Sequence, residues 1–419
     1  MYYLQIIIGA SLLLLLGVVF SNNAKKINPK YLINAILLQF VLAILLTKVS
    51  VITGFFDEYV SQGVLALKAA TDQGTGFVFG YLADGAPKPF EVVTDAAVAN
   101  IFIFSGLMLI IVVSALSAIL WHWRILPIII KFISLLFKKP LNVGGPVGLS
   151  ATANIIFGQV EAPLLIRPYL RQMTKQELLV LMTVGMSTIS GGVMVVYTTM
   201  LADLYGTALI GHFLTASIIS VPAAIMYANI MMPSDQKTED QSTIEKSQLY
   251  GGTMDALTRG TQDGLQILLS VAAMLLVLIS LVTLVNYGLG TLPVVAGEAL
   301  SLERIAGWIF SPIAWCMGIP WSEAQSGGSL LGVKIILNEF VAYVDLAAID
   351  ASEFSERSRL IMLYALCGFA NLSSVGILLS GMGAMVPERK DDLIAVSGKA
   401  LVAATLASCF TGLVVGIIY

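Results

Sequence analysis

The stretch Asn154-Ile-Ile-Phe-Gly-Gln-Val-Glu-Ala-Pro-Leu164 decides how this chain is to be read. It is apolar enough for a bilayer, yet it carries Asn154, Gln159 and Glu161, and Gly158 and Pro163 interrupt any continuous helix. An ionisable side chain at the centre of a spanning helix costs at least ~2.5–3.5 kcal/mol and marks a functional site by default. Broken backbone survives at membrane depth only where protein buries it or where it lines a wet cavity. Together these features predict a re-entrant segment that holds a polar solute. Two later stretches have the same character: Asn338-Glu-Phe-Val-Ala-Tyr343 and Gly368-Phe-Ala-Asn-Leu-Ser-Ser374.

Working outward, the 419 residues are 57% hydrophobic and only 12% charged, half the ~25% of a soluble domain. The chain therefore reads as an all-α polytopic membrane protein. A net charge of −3 gives no basic surface for nucleic acid and no field to capture an anion. Cys316, Cys367 and Cys409 stand in apolar surroundings at unrelated spacings, and the only histidines are His122 and His212. Neither set makes a disulfide or metal framework.

The first apolar run lacks preceding basic residues, and Lys25 and Lys26 follow it. That reverses the charge order of a signal peptide and predicts a retained span with the N-terminus outside. Spans are expected at about 4–21, 31–49, 97–121, 176–202, 207–232, 263–289, 358–383 and 392–418. With about eight spans, both termini are extracytoplasmic. Residues 50–95, with Asp57, Glu58, Asp72, Asp84, Glu91 and Asp95, read as an outer loop. Residues 124–141 alternate basic and apolar residues and read as an amphipathic helix in the inner interface. His122, between Trp121 and Trp123, is an interfacial anchor or a proton relay. Residues 142–171 form a hairpin entering from the cytoplasm, 234–247 a soluble linker, and about 307–344 a second hairpin entering from outside.

The expected divisions are 1–95 on the scaffold side, 96–141 with the third span and interfacial helix, and 142–233 as the first repeat. Residues 234–306 hold the linker and sixth span, and 307–419 the second repeat. Each repeat has a broken hairpin, an interrupted span and an intact span. One hairpin opens inward and the other outward, the layout of an inverted repeat, whose interface at the membrane midplane is where transporters bind substrate and coupling ion.

Glu161 and Glu339 would face one another if the hairpins meet, and two carboxylates need donors to accept from. Gln159, Asn371 and Ser374 add neutral hydrogen-bonding groups. Apart from Lys334, no cation converges on them, so a neutral solute rich in hydroxyl and N–H groups fits better than an anion. Asn154 and Thr188 offer uncharged oxygens suited to Na⁺. Their plainer roles are a hairpin cap for Asn154 and back-bonding within the helix for Thr188. The carboxylates could instead pair with Arg167 or Lys334. Met186-Ser-Thr-Ile-Ser-Gly-Gly192 is either a close-packing patch or an unwound point.

Gly158-Gln-Val-Glu-Ala-Pro-Leu-Leu-Ile-Arg-Pro168, Asn338-Glu-Phe-Val-Ala-Tyr343 and Cys367-Gly-Phe-Ala-Asn-Leu-Ser-Ser374 resemble the signature segments of the concentrative nucleoside transporters, over essentially the whole chain. The resemblance implies a homotrimer whose two-hairpin transport domain moves, elevator-like, against a scaffold domain. It implies nucleobase contacts from Gln159 and Glu161 with Val160 beside them. It places the ribose against Glu339, Asn371 and Ser374, with Phe369 and Val193 close by. The sodium site would take the side chains of Asn154 and Thr188 and the carbonyls of Phe157, Thr188 and Ile189. Many relatives have Thr where this chain has Val160, which predicts altered base selectivity. The expected activity is Na⁺-driven nucleoside import across the inner membrane, without an organic cofactor. The alternatives are proton coupling through Glu161 or Glu339 and, remotely, an intramembrane enzyme, for instance a protease using Ser190 or a hydroxyl near His212. The compact chain suggests a bacterial source.

Overall fold

Side-chain caps and chain breaks divide the apolar sequence into helices. The computed structural model describes residues 2–83, 89, 101, 103–141, 143–201, 209–234, 250–295, 297–350 and 352–419. Among these the only non-helical pairing is an isolated bridge between Val295 and Glu298. The expected outer-loop residues Asp84, Glu91 and Asp95 and the linker from 235 onward lie outside the described residues.

The N-terminal pair is α1 (Tyr2–Val19) and α2 (Pro29–Lys48). Helical turns over Ser50–Val60 lead into α3 (Ser61–Phe79). The segment expected as an outer loop is thus helical over 50–79. Within α3, Lys68 bonds Asp72 one turn away at 2.7 Å. Next come α4 (Met108–His122) and α5 (Ile125–Leu141), bent by 81° at a corner where Arg124 takes φ 62°. This agrees with a span turning into an interfacial helix. On α5, Ile130 and Phe137 are buried, whereas Ile128, Phe132 and Leu135 are exposed.

The first repeat has the short arm α6 (Gly145–Ala153), an irregular tip, and helical turns at Glu161–Leu164 and Arg167–Leu170. Then α7 (Lys175–Ser187) and α8 (Gly191–Met200) are separated by an unwound Thr188–Ser190, and α9 (Leu209–Met231) follows intact. A capping box starts α7: Thr174 Oγ1 accepts from Glu177 N at 3.2 Å and Glu177 Oε2 accepts from Thr174 N at 2.9 Å. Such a cap stabilises a helix by ~1 kcal/mol. The expected sixth span begins earlier, as α10 (Thr253–Gly290).

The second repeat has antiparallel arms α11 (Leu302–Cys316) and α12 (Trp321–Ile336), then α13 (Glu339–Ala348). Glu339 therefore opens a separate helix beyond a second break, rather than lying within one hairpin arm. The interrupted span is α14 (Glu356–Leu366) and α15 (Leu372–Met385), and α16 (Lys390–Ile418) is intact. Among the described residues six helices are long and apolar enough to span a membrane, seven if the bent α4–α5 pair is counted. Breaking α14–α15 shortens another span below that length.

The core lies where α7–α8, α9 and α16 pack together, each with over 70% of its apolar window buried, whereas α1, α2 and α10 bury under a quarter. Helix α4 pairs with α10, at whose crossing Gly260 and Gly264 meet backbone of Ala115 and Ile111. A Cβ at Gly264 would lie 2.7 Å from Ile111 Cα, so small residues set this close approach. In contrast α1 packs on α11, α16 and α9, and α2 on α9. The two N-terminal spans thus pack on helices of the repeats. Hydropathy identifies a span but not its neighbours.

Candidate functional site

The site is assembled where the two broken spans touch. Gly368, with φ +115°, presses its bare Cα face onto the last turn of α7, and a Cβ there would lie 2.7 Å from Ser187 C and O. Each break is braced by a serine of an intact helix. Ser217 on α9 accepts a long bond from Ile189 N at 3.4 Å, and Ser408 on α16 donates a long bond to Cys367 O at 3.5 Å.

On the first repeat, Gly191 N donates to Ile156 O at 2.9 Å and ties the hairpin tip to the start of α8. Asn154, fully buried, ends α6; its Nδ2 donates to Ser150 O at 3.0 Å. Its Oδ1 is buried with no hydrogen-bond partner. Gly185 lets the tip approach α7: a Cβ there would lie 3.1 Å from Gln159 Cβ and 3.6 Å from Asn154 Oδ1. Thr188 Oγ1 donates to Val184 O at 3.0 Å, the back-bond expected of it, which leaves its lone pairs available. Phe157, Thr188 and Ile189 lie in unwound chain, outside any helix. Their carbonyls accept none of the backbone bonds found outside helices among the described residues. An orphaned buried oxygen costs ~1–3 kcal/mol, and this set of neutral oxygens fits a small monovalent cation. Among the described residues no group of three His, Cys, Asp or Glu could hold a metal ion.

Gln159 is also buried, and its Oε1 has no partner. Glu161 Oε2 accepts a short bond from Gly158 N. Val160 packs against α15, where a Cβ at Gly381 would lie 2.6 Å from Val160 Cγ1.

On the second repeat, Glu339 is buried and both its oxygens are engaged: Oε1 accepts from Tyr197 Oη at 2.6 Å, Oε2 from Asn371 Nδ2 at 2.8 Å. Asn371 is itself the N-cap of α15, accepting from Ser374 N at 2.7 Å and Ser373 Oγ at 2.8 Å. Asn338 caps α13 in the same way, accepting from Val341 N at 3.0 Å. These cap residues therefore fix where Glu339 and Ser374 stand. Phe369 lies half-buried in the break, and Val193 half-buried one turn before Tyr197 on α8.

The structure thus unites Glu339, Asn371 and Ser374, and separately brings Asn154 and Gln159 against Gly185, three residues before Thr188. Glu161 bonds Gly158 at the first hairpin's tip and Glu339 bonds Tyr197 and Asn371, and no hydrogen bond joins the two carboxylates among the described residues. Neither Glu161–Arg167 nor Glu339–Lys334 is an ion pair among the described residues. His212 bonds Tyr364, Nδ1 to Oη 2.9 Å. The sequence reading missed Tyr197. The available signal was a tyrosine in an apolar span, since a buried phenol usually finds a partner.

Three family models match the chain: Na+ dependent nucleoside transporter N-terminus over residues 8–82, nucleoside recognition over 103–204, and Na+ dependent nucleoside transporter C-terminus over 212–416. The nucleoside permease NupC of Helicobacter pylori is 32% identical, covering 98% of this chain and 96% of its own. Human sodium/nucleoside cotransporter 1 is 31% identical over 91% of this chain and 58% of its own length. Among solved structures, CNTnw in an inward-facing substrate-bound state superposes with TM-score 0.90 at 32% identity, covering 100% of this chain and 98% of that one. A variant of CNTnw in an outward-facing state gives TM-score 0.88 at 31% identity, with the same coverage. These neighbours are transporters, not enzymes, and the same fold is occupied in inward- and outward-facing states, as an elevator requires. The broken hairpins, the paired interrupted spans and the agreement along the full chain place this protein in the concentrative nucleoside transporter family.

Proposed function

We propose that the protein is a secondary active symporter that imports nucleosides across the inner membrane, driven by the Na⁺ gradient. The observation that carries this is the buried, unpartnered Oδ1 of Asn154 beside unwound backbone, a donor set that a desolvated Na⁺ satisfies. In the elevator, Gln159 and Glu161 take the base edge, with Val160 beside them. Glu339, Asn371 and Ser374 take the ribose hydroxyls, with Phe369 and Val193 lining the sugar. Asn154, Thr188 and the carbonyls of Phe157, Thr188 and Ile189 hold the ion. The α4–α10 pair forms the frame, three protomers assemble around such frames, and both termini face outward. The sodium coupling for which human sodium/nucleoside cotransporter 1 is named supports the choice of ion.

The test is uptake of labelled uridine and adenosine into proteoliposomes under an inward Na⁺ gradient, an equal K⁺ gradient, and an acid-outside gradient in K⁺. Uptake is expected only with Na⁺. Asn154→Ala is expected to weaken apparent Na⁺ affinity at least about tenfold, since a charge-assisted contact contributes ~1.5–3 kcal/mol. Uptake driven by acid alone would move the coupling to the carboxylates.

Val160→Thr keeps the volume that packs on Gly381 and adds a hydroxyl beside the base. One neutral hydrogen bond is worth ~0.5–1.5 kcal/mol, so the uridine-to-adenosine uptake ratio should shift roughly two- to tenfold. An unchanged ratio removes Val160 from the account of selectivity.

A further inference from the structure

Ala153-Asn-Ile-Ile-Phe-Gly-Gln159 of the first hairpin aligns without a gap on Val333-Lys-Ile-Ile-Leu-Asn-Glu339 of the second. The twin isoleucines coincide, Gln159 falls on Glu339, and Asn154 falls on Lys334. The contacts repeat as well. Asn154 lies against Gly185, three residues before the break at Thr188. Lys334 Nζ donates to Ala365 O at 2.8 Å, two residues before the break at Cys367. Ser217 and Ser408 brace the two breaks, and three residues beyond each, Ser220 and Thr411 meet at 3.2 Å where α9 and α16 cross.

At these matched positions the chemistry is complementary. Asn154 presents an oxygen with nothing to bind. Lys334, 1% exposed, presents an ammonium. Both lie at the carboxyl end of the first half of a broken span, where helix carbonyls and the dipole favour positive charge. Lys334 donates to Ala365 O and makes no ion pair with Glu339 among the described residues, so it serves the helix end.

We propose that the Lys334 ammonium is a tethered cation filling the second repeat's counterpart of the sodium site. This rests on the sodium reading of Asn154 and deepens it. In the two hairpin segments that form the proposed site, Glu161 and Glu339 bring two carboxylates and Lys334 one ammonium, and a neutral nucleoside adds no charge. Lys334 balances one carboxylate permanently, leaving one mobile ion to balance the other. Lys334 thereby fixes how many ions each nucleoside requires.

Equilibrium binding of uridine and adenosine to the purified full-length protein, at varied NaCl with choline holding ionic strength, tests this without transport. The wild type should show a Hill coefficient for Na⁺ of about 1. Lys334→Asn, which copies the first repeat into the second, should raise it towards about 2 and make the thermal midpoint depend more steeply on Na⁺. Lys334→Arg should keep the wild-type response. A folded Lys334→Asn protein that binds with the wild-type Na⁺ dependence, or does not bind at any Na⁺ concentration, overturns the proposal. If Lys334→Asn does not fold, Asn154→Lys decides. Nucleoside binding that no longer responds to Na⁺ supports the tethered cation. Binding that still needs Na⁺, no binding by folded protein, or failure of both exchanges to fold overturns it. Wild-type binding that is equal in choline and NaCl would instead remove the underlying sodium reading.

Discussion

Glu339→Gln is expected to lower nucleoside uptake roughly 10²- to 10⁴-fold while the protein stays folded. Tyr197 Oη at 2.6 Å and Asn371 Nδ2 at 2.8 Å both point hydrogens at the carboxylate. An amide in the same place can accept from only one of them and turns an NH₂ group towards the other. A hydrogen bond to a charged group is worth ~1.5–3 kcal/mol, so an amide that gives up two charge-assisted bonds to the ribose hydroxyls loses about 3–6 kcal/mol of binding, which sets the fold-change. The loss falls on binding because the same carboxylate is proposed to accept the ribose hydroxyls. The measurement is initial-rate uptake in proteoliposomes alongside the thermal midpoint of the purified variant. Uptake within a few-fold of wild type from folded protein would remove Glu339 from substrate recognition.

The parts of this site legible in sequence are those whose polar residues interrupt an apolar run. Asn338 and Asn371 announce themselves twice, as amides at membrane depth and as N-caps of the helices that follow. Residues 50–79 were misread because their acidic residues lower the hydropathy and look like solvent-facing chain. Helix formation there depends on which faces the acids occupy, and composition does not report that. Tyr197 was hidden for the opposite reason, since a tyrosine among valines and methionines reads as packing until Glu339 is brought to it from 142 residues away. The attachment of α1 and α2 to the repeats is likewise invisible to hydropathy, because a lipid-facing helix has the same composition whichever body it accompanies. The Met186–Gly192 ambiguity was real: small residues serve both close packing and unwinding, and the decision lies with the partner, Gly368, far along the chain.

That partner gives the other large effect. Gly368→Ala is expected to destabilise the protein by about 2–6 kcal/mol, from ~1–3 kcal/mol of backbone strain and ~1–3 kcal/mol of overpacking. The strain arises because φ +115° is open to glycine and poor for any residue with a Cβ. The overpacking is severe because the obstacles are backbone: Ser187 C and O at 2.7 Å and Met186 O at 3.0 Å from the added methyl. A flexible side chain could swing aside, but the last turn of α7 can move only by shifting Thr188 and Ile189 with it. Those residues are braced by Ser217 on one side, and the Cys367 side of the contact is braced by Ser408. Relief of the clash must therefore separate the two breaks, and with them the ion-holding and ribose-holding groups that each break carries. With a total stability of ~5–15 kcal/mol, the variant should show a clearly lowered thermal midpoint and lose most nucleoside binding in whatever fraction remains folded. Normal binding at a normal midpoint would mean that the repeats meet loosely, and that the two halves of the site keep their geometry without touching at this glycine.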